Sequence, residues 1–264
     1  MRNHKIGLQG ILFDAKSSYM RGPALAPPLI KKAYNSDSAN YFSESGLELR
    51  PDIWDDKGDY EVVDYFDIEK ITARNLDKKQ PLITLGGDHS ITYPILKAIT
   101  DKYGPVNILH IDAHSDLYDE FEGDKYSHAC PFARIMEGGL ANRLIQVGVR
   151  TLSTHQKEQA GKFGVEILTM KDFDIDSLPK FNEPIYLSLD IDALDPAFAP
   201  GVSHHEPGGF STREVLQIIQ KIEAPIIGAD IVEYNPKRDI NGATAMVCAK
   251  FLKEMAAKII ENKT

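Results

Sequence analysis

The feature that most limits what this chain can fold into is a series of short, nearly unbroken apolar runs recurring along its 264 residues. They fall at 6–12 (IGLQGIL), 61–66 (EVVDYF), 82–85 (LITL), 106–111 (VNILHI), 144–149 (LIQVGV), 165–168 (VEIL), 185–191 (IYLSLDI) and 226–231 (IIGADI). Most lack the polar alternation of a half-solvated strand, which marks strands covered on both faces, as in a parallel sheet. Helix-like stretches lie between them, most clearly at 90–103, 127–138, 153–163, 211–222 and 243–262. Ser211-Thr212-Arg213-Glu214 predicts a capping box at the start of one of these helices. In the last, Ala245, Ala249, Leu252, Ala256 and Ile259 form a single apolar stripe that needs a sheet to cover. Alternating strand and helix predicts α/β layers with right-handed crossovers. The polar stretch 36–60 reads as an exposed excursion, and with no repeat or long linker the chain is taken as one domain, 1–264.

Composition narrows the partners. Values of 42% hydrophobic and 26% charged residues are those of a globular protein and exclude whole-chain disorder. A net charge of -9 argues against an electrostatic grip on nucleic acid or an anionic membrane and favours a small cationic substrate. Cys130 and Cys248 are too few for a disulfide framework and read as free thiols. The first apolar run is broken by glycine and glutamine, unlike a signal peptide. The expectation is a cytoplasmic protein that binds no membrane and no nucleic acid.

Three motifs follow predicted strands directly: Gly86-Gly87-Asp88-His89-Ser90, Asp112-Ala113-His114-Ser115-Asp116, and Asp190-Ile191-Asp192. Ligands of open α/β sheets bind beyond the carboxyl ends of the strands, so the three motifs can share one crevice. Residues two and four apart on extended backbone project to the same side, which groups Asp112, His114 and Asp116, and likewise Asp190 and Asp192. With His89, the pooled set is two imidazoles and four carboxylates. Four crowded carboxylates would raise one another's pKa unless cations sat among them, and two divalent ions cancel their charge. An oxygen-rich, thiolate-free set suits Mn²⁺ better than a structural zinc. Two such ions about 3.5–4 Å apart would acidify a water between them.

The strings GGDHS (86–90), IDAHSD (111–116), SLDIDALDPAFAPG (188–201) and GADIVEYNP (228–236) resemble the motif set of the ureohydrolases, the arginase and agmatinase family. Between them, KYSHACPFARIMEGG (125–139) and TAMVCAKFLKEMAAKI (244–259) are similar to its plant-type branch. The resemblance implies a three-layer α/β/α fold around an eight-stranded parallel sheet, two Mn²⁺ per subunit, and a homotrimer or homohexamer. It implies one ion on His89, Asp112, Asp116 and Asp190 and the other on His114, Asp112, Asp190 and Asp192. It further implies that Glu233 binds the substrate guanidinium and that His128 shuttles protons to the leaving amine.

The implied reaction is hydrolysis of a guanidino compound to urea and an amine. The loop Tyr118-Asp119-Glu120-Phe121-Glu122-Gly123-Asp124-Lys125-Tyr126 is acidic, which would attract a cationic tail and tilts the substrate slightly toward agmatine over arginine. Guanidinobutyrate, guanidinopropionate and formimidoyl substrates are the alternatives. Another class of reading, a catalytically silent oligomeric metalloprotein, is opposed by the presence of all six ligand-type residues with His128 and Glu233. A two-metal phosphoesterase would need Arg or Lys phosphate clamps, and the motif neighbourhoods offer acids. His204 and His205, in a Gly/Pro loop, are read as loop structure, Asp88 as a residue orienting His89 or its loop, and Arg21-Gly22-Pro23 as a helix opener.

Overall fold

A computed structural model of the chain describes residues 5–77 and 80–262. The apolar runs become strands because no position along them must face water: β4 (Val106–Ile111) and β7 (Ile185–Asp190) are buried at every residue. With β1 (Ile6–Leu12), β2 (Trp54–Glu61), β3 (Leu82–Leu85), β5 (Ala141–Val149), β6 (Glu166–Thr169) and β8 (Ile226–Val232) they form one sheet. Its order is β2-β1-β3-β8-β7-β4-β5-β6, with every pairing parallel.

Helices cover both faces. On one side lie α1 (Ala26–Tyr34), α6 (Thr212–Lys221) and α7 (Ala243–Glu261), sharing a core with Leu109, Ile145 and Leu187. On the other lie α2 (Asp67–Asn75), α3 (Thr92–Tyr103), α4 (Pro131–Glu137) and α5 (Thr154–Phe163), packed with Ile108, Leu144 and Tyr186. Successive residues of one strand thus enter opposite layers, which gives the three-layer α/β/α architecture. The capping box of Ser211 and Glu214 opens α6, and all five residues of the predicted stripe on α7 are buried.

Seven of the eight predicted strands lie at or within a few residues of observed ones, and the eighth is displaced. Instead of 61–66, β2 occupies Trp54–Glu61, all but its last residue inside the stretch read as an excursion. The cause is its place at the sheet edge. It pairs only with β1, so WDDKGDYE alternates against solvent and carries the charges that blunt an exposed edge. Beyond it Val63 is 97% exposed. Two short helices were not anticipated: α1, whose first turn holds Pro27 and Pro28, and α2. Arg21-Gly22-Pro23 does lead into a single 3₁₀ turn, Pro23–Leu25, that runs on into α1.

Candidate active site

The strands that end in the sequence motifs are the four central neighbours of the sheet, β3, β8, β7 and β4. Being parallel, they deliver all their carboxyl ends to one edge. Leaving β3, the chain turns at Gly87, where an added Cβ would lie 1.6 Å from the Phe13 carbonyl oxygen, so only glycine permits the path. Asp88 then caps the next turn by accepting the Ser90 backbone N–H at 3.1 Å, and His89 is aimed across the strand ends. Asp116 (φ 49°) and Glu233 (φ 63°) hold left-handed backbone without being glycine. Such strain costs about 1–3 kcal/mol per residue and gathers where the surroundings fix a functional group.

All six predicted ligand residues converge. Around the Nδ1 of fully buried His89 stand carboxylate oxygens of Asp190 at 3.1 Å, Asp116 at 3.2 Å and Asp112 at 3.3 Å. His114 Nδ1 lies 3.1 Å from Asp192 and 3.5 Å from Asp112. Asp112 joins the two halves, its Oδ2 facing His89 and its Oδ1 facing His114.

Hydrogen bonds behind the imidazoles fix their tautomers. Asp230, fully buried, accepts the hydroxyls of Ser188 at 2.7 Å, Tyr186 at 2.8 Å and Thr92 at 2.8 Å. The Ser188 proton is thereby committed to Asp230, so Ser188 Oγ accepts from His89 Nε2–H at 3.0 Å. The lone pair of His89 is left on Nδ1, the atom among the carboxylates, and that buried nitrogen has no hydrogen-bond partner. A parallel device holds Asp112: Gln146 donates to Ser115 O at 2.6 Å and to His110 Nδ1 at 3.0 Å, so His110 Nε2–H donates to Asp112 Oδ2 at 2.7 Å. His110 is close enough to His89 and Asp112 to be grouped with them as a cation site. Its acceptor nitrogen is already occupied, and it acts by orienting Asp112.

The charges are unbalanced as they stand. Burial, and then Asp192 and Asp112, push the Asp190 carboxyl well above its usual range. Burial likewise lifts Asp192 to about 6. For Asp112, burial raises the pKa, but His110, His114 and His89 outweigh it and hold the group low. An orphaned imidazole nitrogen ringed by carboxylate oxygens that resist sharing negative charge is a donor set that fits divalent cations.

His128 and Glu233 form the other half. His128 Nδ1 lies 3.3 Å from Glu233 Oε1, which also accepts the His89 backbone N–H at 2.9 Å. Burial alone would lower His128, but Glu233 outweighs it and raises the imidazole to about 9. The opposite edge of the ring, Nε2, lies 2.8 Å from Ser18 Oγ. Ser18 escaped the sequence reading, as did Arg150, whose guanidinium donates to the backbone carbonyls of Asp192, Ala193, Leu194 and Glu206. Arg150 thus ties the exit of β7 to the loop carrying His204.

The twin histidines separate. His205 is locked to Pro200 O at 2.8 Å and to the Arg238 guanidinium, as loop structure requires. His204, in the same loop and in neither cluster of metal-ligand type among the described residues, turns its ring into the cavity, stacked 5.3 Å from His128, and its Nε2 is buried without a partner. Cys130 is buried and its thiol is pushed up to about 12 by burial, which leaves it no nucleophilic role.

These groups open into a cavity of about 470 Å³. Its outer wall corrects the reading of the acidic loop, because Tyr118 and Phe121 line it and Asp119, Glu120, Glu122 and Asp124 do not. Asp119 instead pairs with His155 at 2.9 Å and Asp124 with Lys16 at 2.6 Å, while Tyr118 and Phe121 turn inward. The rest of the mouth is neutral, formed by Thr151, Leu152, Ser153 and Gln156 at the start of α5.

The model of the arginase family matches residues 4–257. Arginase 1, mitochondrial, of Arabidopsis thaliana is 47% identical over 274 residues, covering 96% of this chain and 80% of the relative. The solved arginase from Medicago truncatula superposes with a TM-score of 0.92 at 42% identity, covering 97% of this chain and 88% of that one. Agmatinase, mitochondrial, of Gallus gallus is 38% identical over 196 residues, covering 69% of this chain and 58% of the relative.

Proposed function

This chain belongs to the arginase family, hydrolases of guanidino C–N bonds, and from that premise we propose that it is a manganese enzyme releasing urea from arginine. The observation that carries the choice of arginine is the neutral outer wall. A cationic tail gains nothing there over a zwitterionic one, while the hydroxyls of Thr151 and Ser153 and the amide of Gln156 can serve a carboxylate as readily as an ammonium. The arginases among its relatives support the same reading.

His89, Asp112, Asp116 and Asp190 would hold one Mn²⁺, and His114, Asp112, Asp190 and Asp192 the other. When bound, such ions supply a water acidified to near neutrality. The remaining work falls to the chain itself. Glu233 has Oε1 engaged by His89 N–H and His128, so Oε2 is the oxygen left for a guanidinium N–H, and its charge favours that planar cation. His128, whose imidazole is raised by the Glu233 carboxylate, stands beside Glu233 where it can give a proton to the departing nitrogen as the C–N bond breaks. Arg150 holds Asp192 and the wall bearing His204 in register. The enzyme would act as a homotrimer or homohexamer.

Urea release from arginine, agmatine, guanidinobutyrate and guanidinopropionate, with Mn²⁺-loaded and chelated enzyme, tests the proposal. A kcat/KM for arginine above the others is expected. Preference for agmatine would overturn the choice of substrate. Silence toward all four by metal-loaded protein would overturn the enzyme assignment.

A further inference from the structure

The segment after β1 is bound into the site at several points, for no reason that the metal ligands supply. Asp14 Oδ2 accepts the Gly22 and Ala24 backbone N–H groups, folding the segment back on itself. Buried Asp88 accepts the Lys16 backbone N–H at 3.0 Å and the Ser17 hydroxyl. Lys16 also bridges to Asp124, and its carbonyl accepts the His128 backbone N–H at 3.3 Å. Met20 O, at the far end, accepts from Ser203 and Asn235. What these anchors hold in place is Ser18, whose Oγ sits 2.8 Å from His128 Nε2 and lines the cavity.

We propose that Ser18 holds the His128 imidazole in the orientation from which it passes a proton to the substrate. This rests on the hydrolase reading above and concerns the positioning of its proton donor. Glu233 is an acceptor only, so the Nδ1 beside it carries hydrogen in the resting ring. In the imidazolium, Ser18 Oγ accepts from Nε2–H. When the Nδ1–H bond breaks and a bond from that proton to the leaving nitrogen forms, Nε2–H and its bond to Ser18 are unchanged. The product tautomer is therefore already satisfied on its outer edge, and the ring does not have to turn. The stacked His204 ring holds one face of the imidazole and Ser18 its edge. Without the hydroxyl, the ring can rotate about χ2 and withdraw Nδ1 from the reacting side. Ser18 is a positioning residue acting through His128.

The test is steady-state urea release by Mn²⁺-loaded wild type, Ser18→Ala and Ser18→Thr, with whichever guanidino substrate the wild type turns over. Bound metal and Tm are measured on the same samples. Ser18→Ala is expected to lose at least about tenfold in kcat, a fraction of what general acid catalysis supplies. KM should stay within about twofold, metal content and Tm should not change, and Ser18→Thr, which keeps the hydroxyl, should recover most of the rate. Wild-type kcat in Ser18→Ala would overturn the proposal. So would a loss confined to KM, a loss that follows metal content, or a failure of Ser18→Thr to recover. The comparison is a ratio to wild type, so it stands whichever substrate is preferred, whereas an inactive wild type would count against the hydrolase reading alone.

Discussion

Replacing Ser188 by Ala should weaken metal binding without touching a single proposed ligand. The hydroxyl links the Asp230 carboxylate, at 2.7 Å, to His89 Nε2, at 3.0 Å, and all three side chains are fully buried. Its removal leaves a buried imidazole N–H without an acceptor, a penalty of about 1–3 kcal/mol. It also removes the bias toward the tautomer with the lone pair on Nδ1, the nitrogen that faces Asp112, Asp116 and Asp190. Loss of such an outer partner typically costs about 10–100-fold in metal affinity, roughly 1.4–2.7 kcal/mol, which agrees with the hydrogen-bond figure. Asp230 keeps the hydroxyls of Thr92 and Tyr186, so the fold should survive. The assay is calorimetric titration of chelator-stripped protein with Mn²⁺, with circular dichroism as the check on folding. A folded variant whose Mn²⁺ affinity stays within twofold of wild type would refute the argument that Ser188 sets the His89 tautomer.

Three further outcomes follow from the same structure. Asp190→Ala removes the carboxylate nearest His89 Nδ1, at 3.1 Å, so metal content by elemental analysis and urea release should fall together; urea release that persists would rule out the ligand role. In metal-free protein, stability should decline from pH 5 to pH 9. His128, raised from 6.5 to about 9, contributes stability that is complete below 6.5 and lost as pH rises through 9, and Asp88, raised from 3.8 to about 7, loses its own between those values. Glu233, lowered from 4.5, contributes a constant amount across that window, so a Tm that rises with pH after chelation would contradict these signs. At the surface, Glu122 (φ 51°) and Gly123 (φ 82°) form a two-residue turn closed by Phe121 and Asp124, the setting in which Asn-Gly is favoured. Glu122→Asn should therefore stabilise the protein by about 1 kcal/mol without altering kcat, measured by thermal melting, and a lower Tm would count against strain at this position.

The buried part of the fold was legible because its strands have no choice of face. β3, β4, β7 and β8 lie at the centre of the sheet, and their apolar runs match the observed bounds within a residue. At the edge, β2 is half solvated, so its run of charges reads as a loop while the adjacent EVVDYF, most of which lies beyond the strand, mimics a buried strand. Apolar content reports burial, and at an edge burial and strand pairing come apart.

Something similar divides the site. The two-residue period that grouped Asp112 with His114 and Asp116 also runs backwards along the same strands to His110 and Ser188, so both could have been read from spacing. Both lie one step inside the strand ends, behind the carboxylates, and a metal site is shaped as much by what holds its ligands from behind. Ser18, Arg150 and Asp230 are different. Asp230 reaches His89 only because β8, the last strand in sequence, inserts between β3 and β7. Ser18 meets His128 only because β1 and β4 release their loops at the same edge of the sheet. Local spacing carries no trace of which strands become neighbours. The residues that lie on one strand end were therefore open to sequence reasoning, and those whose role depends on strand order needed the assembled sheet.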